Sequence, residues 1–372
     1  MNILVINYRD RKHPAAGGAE KHLHRIFSRI VSMGHKVVLL TTSFPGAESR
    51  EAVDGIQVIR QGGDLLFQWT VARSIKALDR EFNFDIVVED LNKLPVFAPY
   101  LLKKPVLVQM HHLWRSSIFS EASFPVAFGV WFFERIIPWF YKKQQFVVVS
   151  PSTESELNQI GVSKDRISVI YNGSDPVAAP EVTQTVDSRP YFLWLSRIHK
   201  YKGIWTALEA FEKFAKRVPA VDLVIAGDGP LMKKIPSWLK SHGLANRVKL
   251  CGFVSSGEKY RLMAGALAML QTSYKEGWGL TVIEAAQLKV PTVASDVPGL
   301  RDSVRNGKTG LLFPVKNAAK CAEAMERICS DEDMRKSMGW AAKQYASTFS
   351  WDEAAAKTMD LLQRIVDERG RS

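Results

Sequence analysis

The sequence contains few cysteines, no apolar segment long enough to span a bilayer and no conventional leader. Its three cysteines, Cys251, Cys321 and Cys329, form no CxxC pair and lie near no histidine at metal-ligand spacing. A disulfide framework and a cysteine-based zinc site are therefore excluded, and a reducing compartment is expected. The first residues, 1–6, lack a basic leader and a cleavage site, so we interpret them as a strand and not as a signal peptide.

Dense runs of one charge are also missing. The 372 residues include 50 Lys+Arg and 38 Asp+Glu, a net charge of +12, but no block of five or more like charges. This distribution argues against a nucleic-acid-binding arm. The surplus is compatible with a solvated basic surface or with an anionic partner such as a membrane surface. The chain also contains no HExxH motif, no Walker A motif and no convincing Ser–His–Asp order.

Short apolar runs separated by helix-compatible segments dominate the chain, and most are too apolar for a strand with one exposed face. In the first half they are 3–6, 37–41, 86–88, 106–110, 146–149 and 167–170; in the second half they are 192–195, 223–226, 248–251, 268–270, 292–294 and 310–313. They predict two doubly wound α/β domains, 1–178 and 185–350, joined by a polar linker near 175–190. An amphipathic helix at about 352–372 either closes the second domain or packs back on the first.

In open α/β sheets, ligands bind beyond the carboxyl ends of the strands, so two such domains predict a central cleft. Gly17-Gly18 follows the first strand and precedes a predicted helix over 21–33. The pair indicates either phosphate or sugar contact at a helix start or a plain turn. His111 and His112 end the strand 106–110, where both a functional and a structural role stay open.

The second half carries two loops of interest. Arg197 and Lys202 follow the strand 192–195 and could converge on a diphosphate, unless this is an exposed basic turn. In the segment 276–284, two glycines precede a predicted helix start, with Glu276 before the helix and Glu284 inside it. The two carboxylates either accept hydrogen bonds from sugar and ribose hydroxyls or act as a helix cap and an ordinary helix residue.

Taken together, these loops resemble glycosyltransferase family 4, retaining enzymes of the GT-B fold with two Rossmann-like doubly wound domains facing a central cleft. The Glu-x7-Glu signature is matched by Glu276 and Glu284, and the basic pair by Arg197 and Lys202. Gly17-Gly18 matches the family's diglycine, the segment 169–175 its strand-end NGxD, and 226–230 its GxGP turn. The resemblance covers essentially the whole chain.

The resemblance implies a role for each matched residue. Glu284 would hold the nucleotide ribose, Glu276 would contact the hydroxyls of the donor sugar, and His111 would orient that sugar. Arg197 and Lys202 would neutralise the leaving diphosphate. The remaining donor-binding residues supply backbone amides, the loop around them or a surface for the nucleobase: Gly17, Gly18, Phe253, Val254, Gly277, Trp278, Gly279, Leu280 and Thr281. No cofactor and no metal ion would be needed.

The resemblance therefore implies transfer of a sugar from a UDP- or GDP-sugar to a hydroxyl acceptor, such as a glycan or a lipid-linked glycan precursor. A nucleotide-sugar epimerase of the same fold and a non-catalytic nucleotide-sugar-binding protein are the alternatives. We expect a cytoplasmic protein, peripheral on the inner face of the membrane if an anionic surface binds it. The aromatic run 124–133 is too short to span a bilayer, and either forms an interfacial or acceptor-binding element or is a buried helix.

Overall fold

A computed structural model describes residues 1–91, 94–175, 177 and 189–371. The chain divides into two compact units. Unit 1 comprises Met1–Gly173 and Ser350–Ser372, and unit 2 comprises Ser174–Phe349. The polar linker predicted near 175–190, including the boundaries at 178 and 185, lies almost entirely outside the described residues.

Strands and helices alternate along most of the described chain. The strands are β1 (Asn2–Ile6), β2 (Lys36–Thr41), β3 (Arg50–Val53), β4 (Ile56–Arg60), β5 (Ile86–Asp90), β6 (Val106–Met110), β7 (Gln145–Val148), β8 (Ile167–Val169), β9 (Tyr191–Leu195), β10 (Asp222–Ala226), β11 (Val248–Gly252), β12 (Met269–Gln271), β13 (Thr292–Ser295) and β14 (Gly310–Phe313). The helices are α1 (Gly18–Ser32), α2 (Phe67–Phe82), α3 (Ala98–Leu101), α4 (Phe124–Phe140), α5 (Pro151–Gln159), α6 (Ile204–Ala215), α7 (Ile235–Ser241), α8 (Ser256–Ala264), α9 (Leu280–Gln287), α10 (Leu300–Ser303), α11 (Ala318–Ser330), α12 (Glu332–Ala346) and α13 (Trp351–Gly370).

The sheet of unit 1 has the order β3-β4-β2-β1-β5-β6-β7-β8. All neighbouring pairs are parallel except β3 and β4. The central strands β5 and β6 are buried along their whole length, because helices cover both faces of a parallel sheet. One face packs against Val71 and Ile75 of α2 and Ile137 of α4. The predicted doubly wound architecture is confirmed for this unit.

The hairpin of β3 and β4 was not predicted from the sequence. The two strands pair in antiparallel fashion and are joined by Asp54-Gly55, with φ angles of 53° and 78°. An Asp-Gly pair between two short alternating runs is a strong hairpin signal, so the turn could have been recognised. At the end of β4, Arg60 Nε donates to buried Asp10 Oδ2 at 2.6 Å and so fixes the loop after β1.

The C-terminal helix α13 belongs to unit 1, although unit 2 precedes it in the chain. It packs against α1, where Arg29 Nε lies 2.5 Å from Asp352 Oδ1. Trp351, its first residue, is buried. Of the two predicted arrangements of this helix, the structure therefore has the one in which it packs back on the first unit.

Unit 2 has a parallel sheet with the order β11-β10-β9-β12-β13-β14. Its core contains Phe192 and Trp194 of β9 together with Phe211 and Phe214 of α6. Because β9 and β12 lie side by side at the centre of the sheet, the loops that follow them begin close together at its carboxyl edge. These are the two loops in which the sequence placed Arg197, Lys202 and Glu276.

The aromatic run 124–133 lies in α4. The buried-helix interpretation of this run is wrong for most of its aromatic residues, because Phe124, Phe128 and Phe132 are exposed. Glu134 and Ile137 are buried on the opposite side of the helix. None of the helices in the described part of the chain combines the length and the apolar composition of a membrane span.

Candidate active site

The basic loop after β9 is held in place by Thr272, the residue that follows β12. Thr272 Oγ1 accepts a hydrogen bond from Trp194 Nε1 at 3.0 Å and donates to the Gly203 carbonyl at 2.8 Å. Gly203 has a φ of +70°, and a Cβ atom there would lie 2.0 Å from the Thr272 carbonyl oxygen. Only glycine fits both the backbone angle and the close approach. The turn over 200–202 is therefore fixed against the end of β12.

This fixed turn brings Lys202 to Glu276, which lies in the loop between β12 and α9. The Lys202 ammonium and the Glu276 carboxylate form an ion pair, with side chains 12% and 14% exposed. Ser273 Oγ also donates to Glu276 Oε1 at 3.0 Å. Burial opposes the charged lysine, but the adjacent carboxylate outweighs it, so the pKa of Lys202 is raised. The sequence predicted both residues but not that they pair.

Arg197 lies in the same loop as Lys202 but is exposed. Its Nη2 atom donates to the Tyr201 hydroxyl at 2.9 Å. The guanidinium group thus stays near the loop surface, whereas Lys202 is largely enclosed. Both cations come from one short segment at the carboxyl end of β9, as the sequence predicted.

The segment after Glu276 leads into α9. Gly279 is the N-cap residue, with a φ of +88°, and Leu280 and Thr281 form the first turn of the helix. The first amides of a helix have no acceptor within it and carry partial positive charge. Gln271 Nε2 donates to Thr281 Oγ1 at 3.0 Å, which ties the helix start to β12. The amides of this turn thus form a polar helix start a few residues from Glu276.

Trp278 is a packing residue as far as its side chain is concerned. It is buried, and its ring meets Phe349 edge to face with centroids 5.0 Å apart. Gly277, beside it, is also buried. The sequence predicted Trp278 among the donor-binding residues, and its indole packs against Phe349 inside unit 2.

Glu284 lies in the second turn of α9 and is paired with Lys259 of α8. Lys259 Nζ donates to Glu284 Oε1 at 3.0 Å, and the glutamate side chain is only 6% exposed. Before α8, the loop after β11 presents Phe253 with 87% of its surface exposed, while Val254 packs partly against the core. The sequence indicated Glu284, Phe253 and Val254 but missed Lys259, which sits within an ordinary amphipathic helix.

In unit 1, the diglycine lies at the start of α1. Gly17 is the N-cap residue, and its amide donates to Glu20 Oε2 at 2.6 Å. Gly18 is exposed at the first position of the helix. The amide of Gly17 is thus already engaged by Glu20, which makes Gly18 the more accessible of the two predicted contacts.

His111 lies at the carboxyl end of β6 in a cluster of buried polar residues. Its Nε2 atom is 3.2 Å from Asp90 Oδ2, and a carboxylate can only accept, so Nε2 carries the proton. Burial favours neutral imidazole, but the Asp90 carboxylate outweighs it, so the pKa of His111 is raised. The sequence missed Asp90, although a charged residue at the end of the apolar run of β5 was a usable signal.

His22 of α1 packs edge to face on His111, with ring centroids 4.9 Å apart. Its Nδ1 atom lies 2.5 Å from Asn172 Oδ1. Burial, followed by the charge of His111, lowers the pKa of His22 to about 3, so His22 is neutral at physiological pH. The cluster of Asp90, His22 and Asn172 therefore fixes the position of His111.

Beyond β6, His112 lines a small pocket with Met110, Trp114 and Phe133.

The family comparisons are consistent with this geometry. Residues 16–177 match the model described as Glycosyltransferase Family 4, and residues 178–345 match Glycosyl transferases group 1. The chain belongs to glycosyltransferase family 4. The resemblance to family 4 that the sequence motifs indicated is thereby confirmed, and the protein is a glycosyltransferase.

Alignments with relatives and with solved structures cover almost the whole chain. A glycogen synthase of Mycobacterium tuberculosis is 25% identical over 96% of this chain and 93% of its own. The structure of a sucrose-phosphate synthase from Thermosynechococcus elongatus covers 99% of both chains with a TM-score of 0.83 and 22% identity. Anabaena HepE in complex with UDP-glucose covers 98% of this chain and 100% of its own, with a TM-score of 0.80 and 19% identity. These likenesses confirm the GT-B fold.

Proposed function

We propose that this family-4 chain is a retaining glycosyltransferase that moves a sugar from a nucleotide diphosphate sugar to a hydroxyl acceptor. The donor is a UDP- or GDP-sugar, bound by unit 2, and the acceptor is a glycan or a lipid-linked glycan precursor, bound by unit 1. The observation that carries the proposal is the enclosed Lys202–Glu276 pair, a few residues before the start of α9. The complex of HepE with UDP-glucose, a protein of the same fold, supports the donor class.

In this proposal, the leaving diphosphate is stabilised by fixed positive charge. Lys202 stays protonated because its pKa is raised, and Arg197 supplies a second cation from the same loop. The first amides of α9 add partial positive charge where the leaving group becomes more negative. Such preorganised groups are worth most in a site with little water. They also make a divalent ion unnecessary, so we propose a metal-independent reaction.

Glu276 is proposed to contact the hydroxyls of the donor sugar. When a diphosphate takes Lys202 as its partner, the Glu276 carboxylate is left to accept hydrogen bonds from neutral sugar hydroxyls. His111 is proposed to orient the sugar through a hydrogen bond with one of its hydroxyls, with Asp90 and His22 fixing the ring. The bond from the anomeric carbon to the diphosphate breaks as the acceptor oxygen attacks on the same face. The diphosphate takes the proton of the acceptor hydroxyl. Because the acceptor attacks the face that the diphosphate leaves, the configuration at the anomeric carbon is retained.

The nucleoside is proposed to bind along α9 and the loop after β11. Glu284 accepts hydrogen bonds from the ribose hydroxyls, and its partner Lys259 holds the carboxylate in place. Phe253 offers an exposed ring on which a base can stack. The same loop contains Val254, whose partly buried side chain anchors it to the core of unit 2.

Incubation of the purified protein with a panel of UDP- and GDP-sugars tests the proposal. We expect one donor to be bound and slowly hydrolysed, with loss of turnover in Lys202→Met and in Glu276→Gln. The matched control is Lys216→Met, which removes an exposed lysine paired with Glu212. Undiminished turnover in Lys202→Met would contradict the assigned role. Conversion of free donor into an epimer, with no hydrolysis or transfer, would favour the epimerase alternative.

A further inference from the structure

A ladder of aromatic rings runs along the outer surface of α4. Phe124, Phe128 and Phe132 are spaced four residues apart, so they share one face of the helix. Successive rings stack with centroids 6.3 Å apart. The three side chains are 72%, 48% and 46% exposed. The helix therefore presents an ordered row of apolar rings to solvent, which packing within unit 1 does not explain.

The aromatic surface continues beyond both ends of the ladder. On one side, the exposed ring of Phe119 lies 5.9 Å from that of Phe124. On the other, Trp139 is 76% exposed, and Tyr100 donates its hydroxyl to the Phe140 carbonyl at 3.0 Å. An exposed aromatic surface of this extent marks an interaction site in a soluble protein. Tryptophan and tyrosine at its edge are typical of side chains that sit where apolar and aqueous phases meet.

The exposed charges of α4 and of the turn that follows it have one sign. Between residues 124 and 143 the charged residues are Glu134, Arg135, Lys142 and Lys143. Glu134 faces inward, where its carboxylate accepts hydrogen bonds from the backbone amides of Trp114 and Arg115 at 2.6 and 2.7 Å. The three cations are exposed, and the Arg135 guanidinium lies 4.4 Å from the centre of the Trp131 ring. The complementary partner is therefore both apolar and anionic.

An anionic bilayer surface meets both requirements, whereas a second copy of this chain would bring the same cations face to face. A helix of 17 residues cannot cross the hydrocarbon core, but it can lie at its boundary with the headgroups. We propose that α4, with Phe119 and Tyr100 beside it, docks unit 1 onto the surface of an anionic lipid bilayer. The aromatic ladder enters the headgroup boundary, and Arg135, Lys142 and Lys143 contact anionic headgroups.

Vesicle flotation of the full chain, without any sugar donor, tests this docking independently of the proposed function. Vesicles of phosphatidylcholine with phosphatidylglycerol are compared with vesicles of phosphatidylcholine alone. We expect binding to the anionic vesicles that weakens as salt is raised. The variant F124S/F128S/F132S should fail to float, and R135Q/K142Q/K143Q should bind about fivefold more weakly for each cation removed. The controls, W340S on α12 and K233Q/K234Q, should float like the wild type.

Each variant is checked for an unchanged melting temperature and for unchanged donor hydrolysis in the absence of lipid, so that loss of flotation reports docking alone. Failure of the wild type to float with anionic vesicles overturns the proposal. So does equal flotation of the wild type and the F124S/F128S/F132S variant. A wild-type dimer in solution that this variant converts to a monomer would also overturn it, because the surface would then be an interface between copies of the chain.

Discussion

Lys202 and Glu276 come from loops after neighbouring strands of unit 2 and form one largely enclosed ion pair. Each side chain neutralises the charge of the other at a position where little water can solvate it. The pair is therefore both a structural contact of the loops and the proposed centre of the donor site. Removal of either partner should affect folding and turnover together, and the two effects can be separated by measuring both.

The first prediction concerns Lys202→Met. We expect the rate of donor turnover to fall about 100- to 1,000-fold, because a preorganised cation no longer meets the developing diphosphate charge. The unpaired Glu276 should also lower the free energy of unfolding by roughly 1–3 kcal/mol. Kinetics and urea unfolding measure the two effects. In the exposed control Lys216→Met, both should change little, and an equal loss of turnover in that variant would contradict the assignment.

The second prediction concerns the close approach at Gly203. Gly203→Ala places a Cβ atom 2.0 Å from the Thr272 carbonyl oxygen, at a φ of +70°. Gly243→Ala is a matched control, because its φ is +68° and nothing lies within 4 Å of the added atom. The control should cost about 1 kcal/mol of unfolding free energy. Gly203→Ala should cost clearly more and slow turnover by displacing Lys202; equal effects of the two substitutions would show that the close contact does not matter.

The third prediction follows from the depressed pKa of His22. Its folded pKa of about 3 lies below the unfolded value near 6.5, so the unfolded state binds the proton more readily between these values. Stability from neutral His22 is therefore fully present above pH 6.5 and is lost as pH falls toward 3. Relative to His22→Gln, the wild type should lose about 1.4 kcal/mol per pH unit in this window. Urea unfolding of both proteins from pH 7 to pH 4 measures the difference in their free energies of unfolding. A difference that does not change with pH would contradict the prediction.

The fourth prediction has the opposite sign, because the pKa of His111 is raised. The charged pair with Asp90 stabilises the fold fully below the unfolded value near 6.5, and this stabilisation is lost as pH rises through the folded pKa. The stability gap between the wild type and Asp90→Asn should therefore be larger at pH 5.5 than at pH 8.5. An NMR titration of His111 should also give a lower pKa in the variant. If that pKa stays the same, Asp90 does not control the imidazole.

Most of the sheet could be predicted from sequence because both faces of its strands are buried. Runs such as 106–110 and 310–313 coincide with β6 and β14, since their apolar residues have no exposed face to interrupt the pattern. The hairpin of β3 and β4 was missed because these strands are short, partly exposed and rich in charge. The exposure of α4 was also beyond the sequence, because a helix that is apolar all round reads like a buried one.

The candidate site could be predicted residue by residue but not contact by contact. Lys202 and Glu276 stand in loops that the strand pattern locates, yet their pairing depends on β9 and β12 being neighbours in the sheet. Lys259 and Asp90 were missed because each acts through a partner far away in the chain. The burial of Trp278 against Phe349 was likewise hidden, since glycines on both sides of the tryptophan made its segment read as an open loop.

The most direct measurement of the central claim is time-resolved proton NMR of donor hydrolysis in the presence of EDTA. With an α-linked donor such as UDP-glucose or GDP-mannose, a retaining, metal-independent enzyme should release the α anomer first, before the free sugar equilibrates. The Glu276→Gln variant should release it far more slowly. Release of the β anomer first, loss of turnover on adding EDTA, or no turnover of any nucleotide diphosphate sugar in the panel would contradict the account.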